Sequence, residues 1–429
     1  MPAADQSPPN NKRKSRRVNV RTPEVMSGVQ TEVEAHYRSR VVEKFRESDN
    51  CYTIGNTTII LAKQFGFCYG VERAIDLAYA TRRVFPDKRV YLIGEIIHNP
   101  EVNRQIQEMD IQQIDSYPSK DVLDNLTPDD IVIVPAFGAE ISLMDQIDKR
   151  GCQIVDTTCG DVMRVWKRVR NYSKQGYTSL IHGKADHEET RATASRAFDD
   201  FGGHYLIILT IEDCEYVCDF IENGGDKTKF LEKFEGSFSP GFDPLIHLSK
   251  IGVANQTTML KGETERIQQM LYESIKIRDG DKAQQSFQFF DTICGATQER
   301  QDALFEMLKV KMDMLLVVGG YNSSNTTHLV EIGHEKLPSF FIRDAECLKS
   351  FEQIVHFDLE EKKEKMSYSG DFFDKSIPIT IGITAGASCP NNLIEQTILR
   401  VYELRGNEVC LLYTSDAADD MQCVDLGGR

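Results

Sequence analysis

The chain contains one five-residue motif twice, as Asp156-Thr157-Thr158-Cys159-Gly160 and as Asp291-Thr292-Ile293-Cys294-Gly295. Each copy lies between a short apolar run, which predicts a strand, and an amphipathic stretch, which predicts a helix. A third cysteine stands at the same kind of junction, in Phe65-Gly66-Phe67-Cys68-Tyr69-Gly70. Three thiols at equivalent strand-to-helix turns predict three related units that deliver their cysteines to one point. Such a point suits a metal or iron–sulfur centre better than a disulfide framework.

The rest of the chain repeats the same order of apolar run, polar or glycine-rich turn and helical segment, three times in each third. This alternation predicts the fold class: three small α/β domains with mostly parallel sheets, arranged with pseudo-threefold symmetry around a central iron–sulfur site. In parallel sheets the ligand-facing turns lie at the carboxyl ends of the strands. The cysteine, histidine and Ser/Asn turns are therefore expected to line one cavity.

The length of 429 residues agrees with three such domains, at roughly 150 residues each. Two stretches, 219–249 and 357–377, break the pattern and are expected to be surface insertions. The predicted organisation is a disordered basic tail with a helical extension (1–55), three α/β domains (56–150 with Cys68, 151–280 with Cys159, 281–410 with Cys294), and a tail without the periodic pattern that is expected to be disordered (411–429).

Composition excludes several classes of protein. A net charge of −16 argues against a nucleic-acid partner, because a phosphate backbone needs a basic surface. No apolar run approaches the roughly 18 residues of a membrane span. Eleven cysteines without a C-x-x-C pair fit reduced thiols and speak against ordinary zinc ribbons. We therefore expect a cytoplasmic protein, in preference to one of the plastid stroma.

A cysteine at a helix N-terminus lies near the positive end of the helix dipole, which lowers the thiol pKa and favours metal binding. Three protein ligands, here Cys68, Cys159 and Cys294, leave one coordination position open for catalysis. Zinc with three thiolates and a water fits this set, but iron–sulfur chemistry is the more natural use of an all-thiolate catalytic site.

The remaining turns supply anion-binding and acid–base groups. Imidazole, hydroxyl and amide donors in loops that open helices favour a phosphate ligand, and the candidates are His98, His187, Ser323, Ser324, Asn325 and Ser388. Glu189 is placed to deliver a proton to a leaving hydroxyl, with Thr257 or Thr258 as a relay.

These residues together resemble the LytB (IspH) family, the 4-hydroxy-3-methylbut-2-enyl diphosphate reductases, and more specifically its plant and cyanobacterial branch. The resemblance extends from about Thr22 to Glu403. It is carried by Gly66-Phe67-Cys68-Tyr69-Gly70-Val71-Glu72-Arg73-Ala74, Glu95-Ile96-Ile97-His98-Asn99-Pro100, Asp156-Thr157-Thr158-Cys159, His187-Glu188-Glu189-Thr190, Gln256-Thr257-Thr258, Asn322-Ser323-Ser324-Asn325 and Thr384-Ala385-Gly386-Ala387-Ser388.

The resemblance implies an oxidoreductase with a [4Fe-4S] cluster on Cys68, Cys159 and Cys294. It implies that the cluster's fourth iron acts as a Lewis acid on the substrate hydroxyl and that ferredoxin or flavodoxin delivers the electrons. The substrate diphosphate would lie against His98, His187, Thr257, Ser323, Ser324, Asn325 and Ser388, and Glu189, helped by Thr257, would donate the proton. Two electrons and two protons would give isopentenyl and dimethylallyl diphosphates, the last step of the non-mevalonate (MEP) isoprenoid pathway.

The chain departs from the family pattern at two positions. Phe137 stands where many bacterial members have a histidine, so one diphosphate contact is missing or replaced. Gly160 stands where a proline usually follows the second cysteine, which should loosen that turn without removing the ligand.

Two alternatives to the reductase come from other classes of protein. One is a non-catalytic iron–sulfur sensor that binds a diphosphate, and the other is a zinc hydrolase with a three-cysteine site. A sensor needs neither Glu189 nor an open coordination position, and metal and sulfide analysis distinguishes the hydrolase.

Overall fold

The computed structural model describes residues 16–198, 202–350, 352–368, 374 and 376–412. The predicted disorder of the basic tail is wrong for its last residues. Arg16–Arg17 forms a short strand that pairs in parallel with Gln153 and Ile154, and Val20 is 1% exposed. The burial of Val20 and the strand pairing of Arg16 and Arg17, whose side chains are exposed, hold the segment against the sheet. Residues 1–15 lie outside the described part of the chain.

The first sheet contains five parallel strands in the order Arg16–Arg17, Gln153–Asp156, Ile131–Val134, Val90–Ile93 and Ile111–Ile114. Side chains alternate along a strand, so Val90 and Leu92 enter one apolar core while Tyr91 and Ile93 enter another. Helices cover both faces, as parallel sheets require. They are Pro23–Tyr37, Tyr69–Val84, Pro100–Glu108, Lys120–Asp124 and Ile141–Arg150.

The second sheet contains four parallel strands in the order Phe287–Phe289, Ile251–Asn255, Thr178–His182 and Tyr205–Ile208. Its helices are Gly160–Lys174, Glu188–Ala197, Ile211–Asn223, Lys227–Lys233, Pro244–His247, Lys261–Asp279 and Ala283–Ser286, with a 3-10 turn at Gly280–Lys282.

The third sheet has the strand order Ser339–Ile342, Met314–Val318, Ile379–Ala385, Thr57–Leu61 and Cys51–Ile54, and the last strand alone is antiparallel to its neighbour. Its helices are Arg40–Glu47, Gly295–Met307, Ser324–His334 and Asn391–Leu404, and 3-10 turns lie at Ala345–Cys347 and Val409–Leu412. A small antiparallel sheet adds Leu348–Ser350, Gln353–Asp358 and Lys363–Tyr368. The fold class predicted from the alternation of strands and helices is confirmed.

Sheet membership differs from the expected grouping of consecutive strands. Thr57–Leu61 pairs with Ile379–Ala385 of the third sheet. Likewise, Gln153–Asp156 pairs within the first sheet and Phe287–Phe289 within the second. Apolar periodicity identifies a strand but carries no information about which strands pair with it. The prediction therefore placed each strand that precedes a cysteine turn in the same sheet as the strands that follow the turn. The domain boundaries at 56–150, 151–280 and 281–410 stay a prediction.

Each cysteine turn therefore leads from one sheet to the next. The strand before Cys68 lies in the third sheet, whereas the helix after it packs in the core of the first. The helix after Cys159 packs against the second sheet, and the helix after Cys294 packs in the core of the third. The three crossovers form a cycle that brings the carboxyl ends of all three sheets together.

The two segments expected to be surface insertions differ from each other. Segment 219–249 contributes four buried aromatic residues to the core of the second sheet, Phe220, Phe230, Phe234 and Phe242, so for this segment the expectation is wrong. Residues 357–368 lie in the small antiparallel sheet, in which Met366 and Tyr368 are exposed.

The C-terminal tail is described only to residue 412, and residues 413–429 lie outside the described part. Leu412 is buried, against the expectation of disorder from residue 411. No helix of the described chain combines the length and the apolar character needed to cross a lipid bilayer.

The contact between Gly252 and Tyr172 gives a test of core packing. A Cβ at Gly252 would lie 2.5–2.6 Å from three ring atoms of Tyr172, whose hydroxyl donates to the Val253 carbonyl at 3.0 Å. We expect Gly252→Ala to lower the free energy of unfolding by about 1–3 kcal/mol, measured by chemical denaturation, because the added methyl group overpacks the core. Gly262→Ala is the control: it adds a methyl group in open space on a helix and should be neutral or slightly stabilising.

Candidate functional site

Three cysteines cap three helices at the centre of the molecule. Cys68, Cys159 and Cys294 are the N-cap residues of Tyr69–Val84, Gly160–Lys174 and Gly295–Met307. Their backbone N–H groups donate to equivalent carbonyls on neighbouring turns, those of Ala387 (3.2 Å), Ala136 (2.9 Å) and Thr257 (3.1 Å). The same turn geometry occurs three times, as the repeated motif predicts.

Arginine side chains link each cysteine helix to the next cysteine turn. Arg73 donates to the carbonyls of Thr157 and Thr158, at 3.1 and 3.2 Å. Buried Arg300 donates to the carbonyls of Gly66 and Phe67. Between the Cys159 helix and the Cys294 turn, the guanidinium of Arg168 lies 3.3 Å from the ring centroid of Phe290. These contacts hold the turn before each cysteine in place.

The sulfur atoms converge on the start of the first cysteine helix. A Cβ at Gly70 would lie 2.7 Å from Cys159 Sγ and 3.8 Å from Cys68 Sγ. Within the described ranges, the three Sγ atoms are not all within 4.8 Å of one another. The thiols are therefore neighbours around a common point but do not touch.

The expected lowering of the thiol pKa is wrong for two of the cysteines. Burial raises the pKa of Cys159 above its ordinary value, and it raises the pKa of Cys294 to about 12. Hydrogen bonds from nearby backbone N–H groups oppose this shift but do not overcome it. At these two cysteines the desolvation of a buried thiolate outweighs the effect of the helix N-terminus.

A cavity of about 90 Å³ adjoins the cysteines. Every residue that the sequence singled out lines it: Cys68, His98, Cys159, His187, Glu189, Thr257, Thr258, Cys294, Ser323, Ser324, Asn325 and Ser388. These residues come from turns that follow strands of all three sheets. The predicted convergence of the turns on one cavity is what the structure has.

Two histidines face each other across the cavity. Their Nε2 atoms are 3.2 Å apart. His187 Nδ1 accepts from the Glu189 N–H at 3.1 Å, so its Nε2 carries the proton. His98 Nδ1 lies 3.0 Å from the Glu95 carboxylate, which favours a proton on that nitrogen. Burial lowers the pKa of His187 well below its ordinary value, so this ring is neutral at neutral pH.

A carboxylate lies beside this pair. Glu188 Oε2 is 3.7 Å from His98 Nε2, and His98, His187 and Glu188 each offer a ligand atom within 4.8 Å of the others. By distance alone these three side chains could also hold a metal ion.

Phe137 takes part in the site although it cannot donate a hydrogen bond. Its ring is stacked on His98, with centroids 4.1 Å apart and an interplanar angle of 19°. It also meets the edge of His187 at 5.7 Å. The Phe137 ring thus packs against both imidazoles and orients them.

The serine and asparagine loop opens the helix Ser324–His334. Ser323 caps it by accepting from the Thr326 N–H at 3.3 Å, and Ser388 Oγ donates to the His98 carbonyl at 3.1 Å. Asn325 Oδ1 accepts from the Ala387 N–H at 2.9 Å, so its amide nitrogen is left for other partners, with Thr297 Oγ1 at 3.4 Å.

Glu189 is 2% exposed and bonded to one residue through both oxygens. The backbone N–H of Thr257 donates to Oε1 at 2.6 Å, and Thr257 Oγ1 lies 3.0 Å from Oε2. Burial raises the pKa of this carboxyl to about 7, although the Thr257 donors lower it. The group exchanges its proton near neutral pH, which suits general acid–base chemistry.

Several groups around the site had no assigned role. Glu95 and Asn322 both contact His98 Nδ1, and Gln256 Nε2 donates to Ser324 Oγ at 3.0 Å. Thr297 lies 3.0 Å from Cys294 Sγ. Glu95, Asn322 and Gln256 belong to the quoted motifs, so the sequence could have identified them as site residues. For Thr297 the sequence offers only its place three residues after a cysteine.

Comparison with known proteins identifies the family. The sequence model described as LytB protein matches residues 59–402. The chain belongs to the LytB family. A relative from Thermosynechococcus vestitus, named 4-hydroxy-3-methylbut-2-enyl diphosphate reductase, is 44% identical over 379 residues, covering 88% of this chain and 92% of its own length. A relative of the same name from Cyanothece sp. is 43% identical over 383 residues, covering 88% and 91%.

A solved structure supports the fold. The structure of the E-1-hydroxy-2-methyl-but-2-enyl-4-diphosphate reductase from Plasmodium falciparum superposes with a TM-score of 0.57 at 21% identity. The match covers 80% of this chain and 86% of that one.

The position of Gly70 between two sulfurs gives a test of the thiol cluster. We expect Gly70→Ala to lower the metal bound per chain after anaerobic purification, because the new Cβ would displace the Cys159 sulfur that lies 2.7 Å away. Gly160→Ala is the matched control, since a Cβ there meets nothing within 4 Å and should leave metal content unchanged. Equal metal content in both variants would show that the metal does not bind at these sulfur atoms.

Proposed function

We propose that this chain is a 4-hydroxy-3-methylbut-2-enyl diphosphate reductase that removes the substrate's hydroxyl group with two electrons and two protons. The products are isopentenyl and dimethylallyl diphosphate, the last step of the non-mevalonate isoprenoid pathway. The observation that carries the proposal is the single cavity that joins three thiols, two histidines, a Ser/Asn loop and a buried acid. Membership of the LytB family and relatives of that name at 43–44% identity support it.

The cofactor that fits the three cysteines is a [4Fe-4S] cluster on Cys68, Cys159 and Cys294. A zinc ion that binds thiolates at about 2.3 Å needs sulfur atoms about 3.8 Å apart. The three cysteine sulfurs do not all lie within 4.8 Å of one another. A cluster spreads its thiolates over several irons and suits a wider triangle, which argues against the zinc hydrolase. When bound, such a cluster supplies electrons and a Lewis-acidic iron at the open position.

The diphosphate is assigned to the polar end of the cavity. His98 and His187 turn their Nε2 atoms toward each other. An anion that enters between them accepts from the His187 Nε2–H and, once His98 carries a proton on both nitrogens, from His98 as well. Ser323, Ser324, Asn325 and Ser388 add hydroxyl and amide donors at the start of a helix, where the dipole favours negative charge. Phe137 keeps the His98 ring in the plane that this contact requires.

The proton for the leaving hydroxyl is assigned to Glu189. Its pKa of about 7 leaves much of the group in the acid form at neutral pH. In that form Oε2–H donates to Thr257 Oγ1, whose own hydroxyl hydrogen is then free to reach the substrate. The backbone N–H of Thr257 holds the other carboxyl oxygen, so the acid is positioned before the substrate arrives. Departure as water avoids expelling hydroxide from a buried site.

A non-catalytic diphosphate sensor is the weaker alternative. A sensor has no use for a buried acid bonded to a relay hydroxyl, and burial of an unused carboxyl would only cost stability. The names of the relatives also favour the reductase.

We propose a ferredoxin or flavodoxin as the electron donor and the cytoplasm as the compartment. The nine cysteines among the described residues are all free thiols, which fits a reducing environment.

Two variants separate cofactor binding from proton delivery. We expect Cys294→Ser to lose both the brown colour of anaerobically purified protein and turnover with reduced methyl viologen. Glu189→Gln should keep the colour and lose turnover by about 100-fold or more, because the amide fills the same space without a transferable proton. The control is Cys152→Ser, a buried thiol of the first sheet's core, which should keep both properties. Full activity of Glu189→Gln would contradict the assigned acid.

The pH dependence of turnover tests the same acid. Turnover with reduced viologen should fall as pH rises above about 7, since the acid form of Glu189 is then lost. Thr257→Val should lower turnover, because the relay hydroxyl is lost, and should move the limb of the remaining activity to higher pH, because that hydroxyl also stabilises the carboxylate. Thr258→Val, which lines the cavity without bonding to Glu189, should leave the limb in place. A profile that is flat from acid to alkaline pH would contradict the assignment.

A further inference from the structure

The cavity assigned to the diphosphate has no permanent cation in its lining. None of the described residues that line it is a lysine or an arginine, and its one carboxyl group is that of Glu189. A diphosphate carries several negative charges, and burial of such an anion is costly unless charged donors pair with it. Among the lining side chains, only the imidazoles of His98 and His187 can gain a positive charge by taking up a proton.

The backbone holds His187 in its neutral form. The Glu189 N–H donates to His187 Nδ1 at 3.1 Å, so a second proton on this ring would turn one N–H against another. The Nε2–H of His187 is directed at His98 Nε2, 3.2 Å away. His187 therefore serves as a neutral donor, and a proton gained by the pair has to go to His98. The same tautomer leaves no lone pair on His187 Nε2 for a metal ion.

The contacts of His98 suit it to accept that proton. Its Nδ1 lies 3.0 Å from Glu95 Oε2, and the Asn322 amide donates to the same oxygen at 2.7 Å. With the Nδ1 proton directed at Glu95, the Nε2 lone pair accepts from His187 in the free site. A second proton on Nε2 gives an imidazolium with a carboxylate behind it, and an opposite charge at hydrogen-bond distance favours the charged form of a histidine. The Phe137 ring lies flat on the imidazole, and the face of an aromatic ring attracts a cation.

Other charged groups lie around the histidine pair. Glu188 Oε2 is 3.7 Å from His98 Nε2, the nitrogen that meets the ligand, and its side chain is 33% exposed. The Glu189 carboxyl interacts with His98 through its charge, and Lys184 interacts with His187 in the same way. The diphosphate thus enters beside two acidic side chains, which increases the need for positive charge on His98.

We propose that Glu95 is a positioning residue through which diphosphate binding draws a proton from solvent onto His98 Nε2. The inference rests on the proposed function, since it concerns the same diphosphate site. Glu95 is not among the lining residues, so it acts through His98. It accepts the Nδ1 proton, keeps Nε2 directed into the cavity and balances the charge of the imidazolium that forms. Because its oxygen also accepts from Asn322, whose turn follows a strand of the third sheet, the same contact joins two sheets behind the ligand.

Proton uptake makes the affinity for a diphosphate depend on pH. Where His98 of the free protein is neutral, each unit of rising pH should weaken binding by about tenfold, because one proton is bound with each ligand. A phosphate ester loses its last proton with a pKa of about 6, so the dependence above about pH 7.5 arises from the protein. Glu189→Gln removes the other lining carboxyl, whose pKa is about 7, from the measurement.

The test is calorimetric titration with isopentenyl diphosphate, which carries the diphosphate but has no hydroxyl group to lose. Anaerobic holoenzyme with Glu189→Gln is the reference protein, titrated in HEPES and in Tris at about pH 8. Since the two buffers differ in their heat of ionisation, the difference in binding heat gives the number of protons taken up. We expect about one proton per ligand in the reference protein. With Glu95→Gln added, uptake should fall below about half a proton and Kd should rise by about tenfold or more.

The direction of the change in affinity distinguishes this role from simple repulsion. If Glu95 acted only through its charge on the ligand, loss of the carboxylate would tighten the binding of an anion. Loss of the imidazolium instead weakens it. The glutamine amide oxygen can still accept from His98 Nδ1, so the variant removes the charge and keeps the ring in place.

Glu101→Gln is the matched control. It removes the same charge from the helix that follows His98, where Glu101 bonds to Arg104 and Gln105, and it should leave proton uptake and Kd unchanged. Unchanged uptake or tighter binding with Glu95→Gln would overturn the role of Glu95 while the reductase assignment stands. A reference protein with constant affinity between about pH 7.5 and about pH 9 would overturn the proton uptake itself. Absence of viologen-driven turnover in the parent protein would instead overturn the proposed function.

Discussion

The geometry of the cysteine site and its cavity depends on three crossovers, at which the chain passes from one sheet to the next through a cysteine turn. A strand ends in one sheet, the cysteine turns the chain, and the following helix packs on a neighbouring sheet. Because this happens three times in a cycle, no sheet can move without displacing a cysteine. The backbone hydrogen bonds from Cys68, Cys159 and Cys294 to neighbouring turns lock the cycle. A shared centre is therefore a consequence of the topology as much as of the ligands.

The same convergence creates two different surroundings. On the side of the cavity, burial keeps His187 neutral and raises the pKa of the Glu189 carboxyl to about 7, so the carboxyl can exchange its proton near neutral pH. On the other side, the residues that follow the three cysteines, Tyr69, Gly160 and Gly295, are exposed to solvent.

Burial also works against the cysteines. A helix N-terminus favours a thiolate, but Cys294 is desolvated enough that burial keeps its thiol protonated. The buried guanidinium of Arg300, which also donates to the turn before Cys68, supplies positive charge nearby. Arg73 and Arg300 thus hold the turns before Cys159 and Cys68 in place through hydrogen bonds to their carbonyls.

The sequence alone was enough to predict the α/β class, the three cysteine turns and most of the polar residues that line the cavity, because chemistry-bearing residues follow strands and parallel strands share an edge. It could not tell that Thr57–Leu61 pairs in the third sheet, that Phe230 belongs to a core, or that Val20 anchors the end of a basic tail. Glu95 and Phe137 became part of the site only through their contacts with His98. Local pattern records which residues are apolar and where the chain turns. Strand partners, desolvation and ring stacking depend on residues far apart in sequence, so only the tertiary structure decided them.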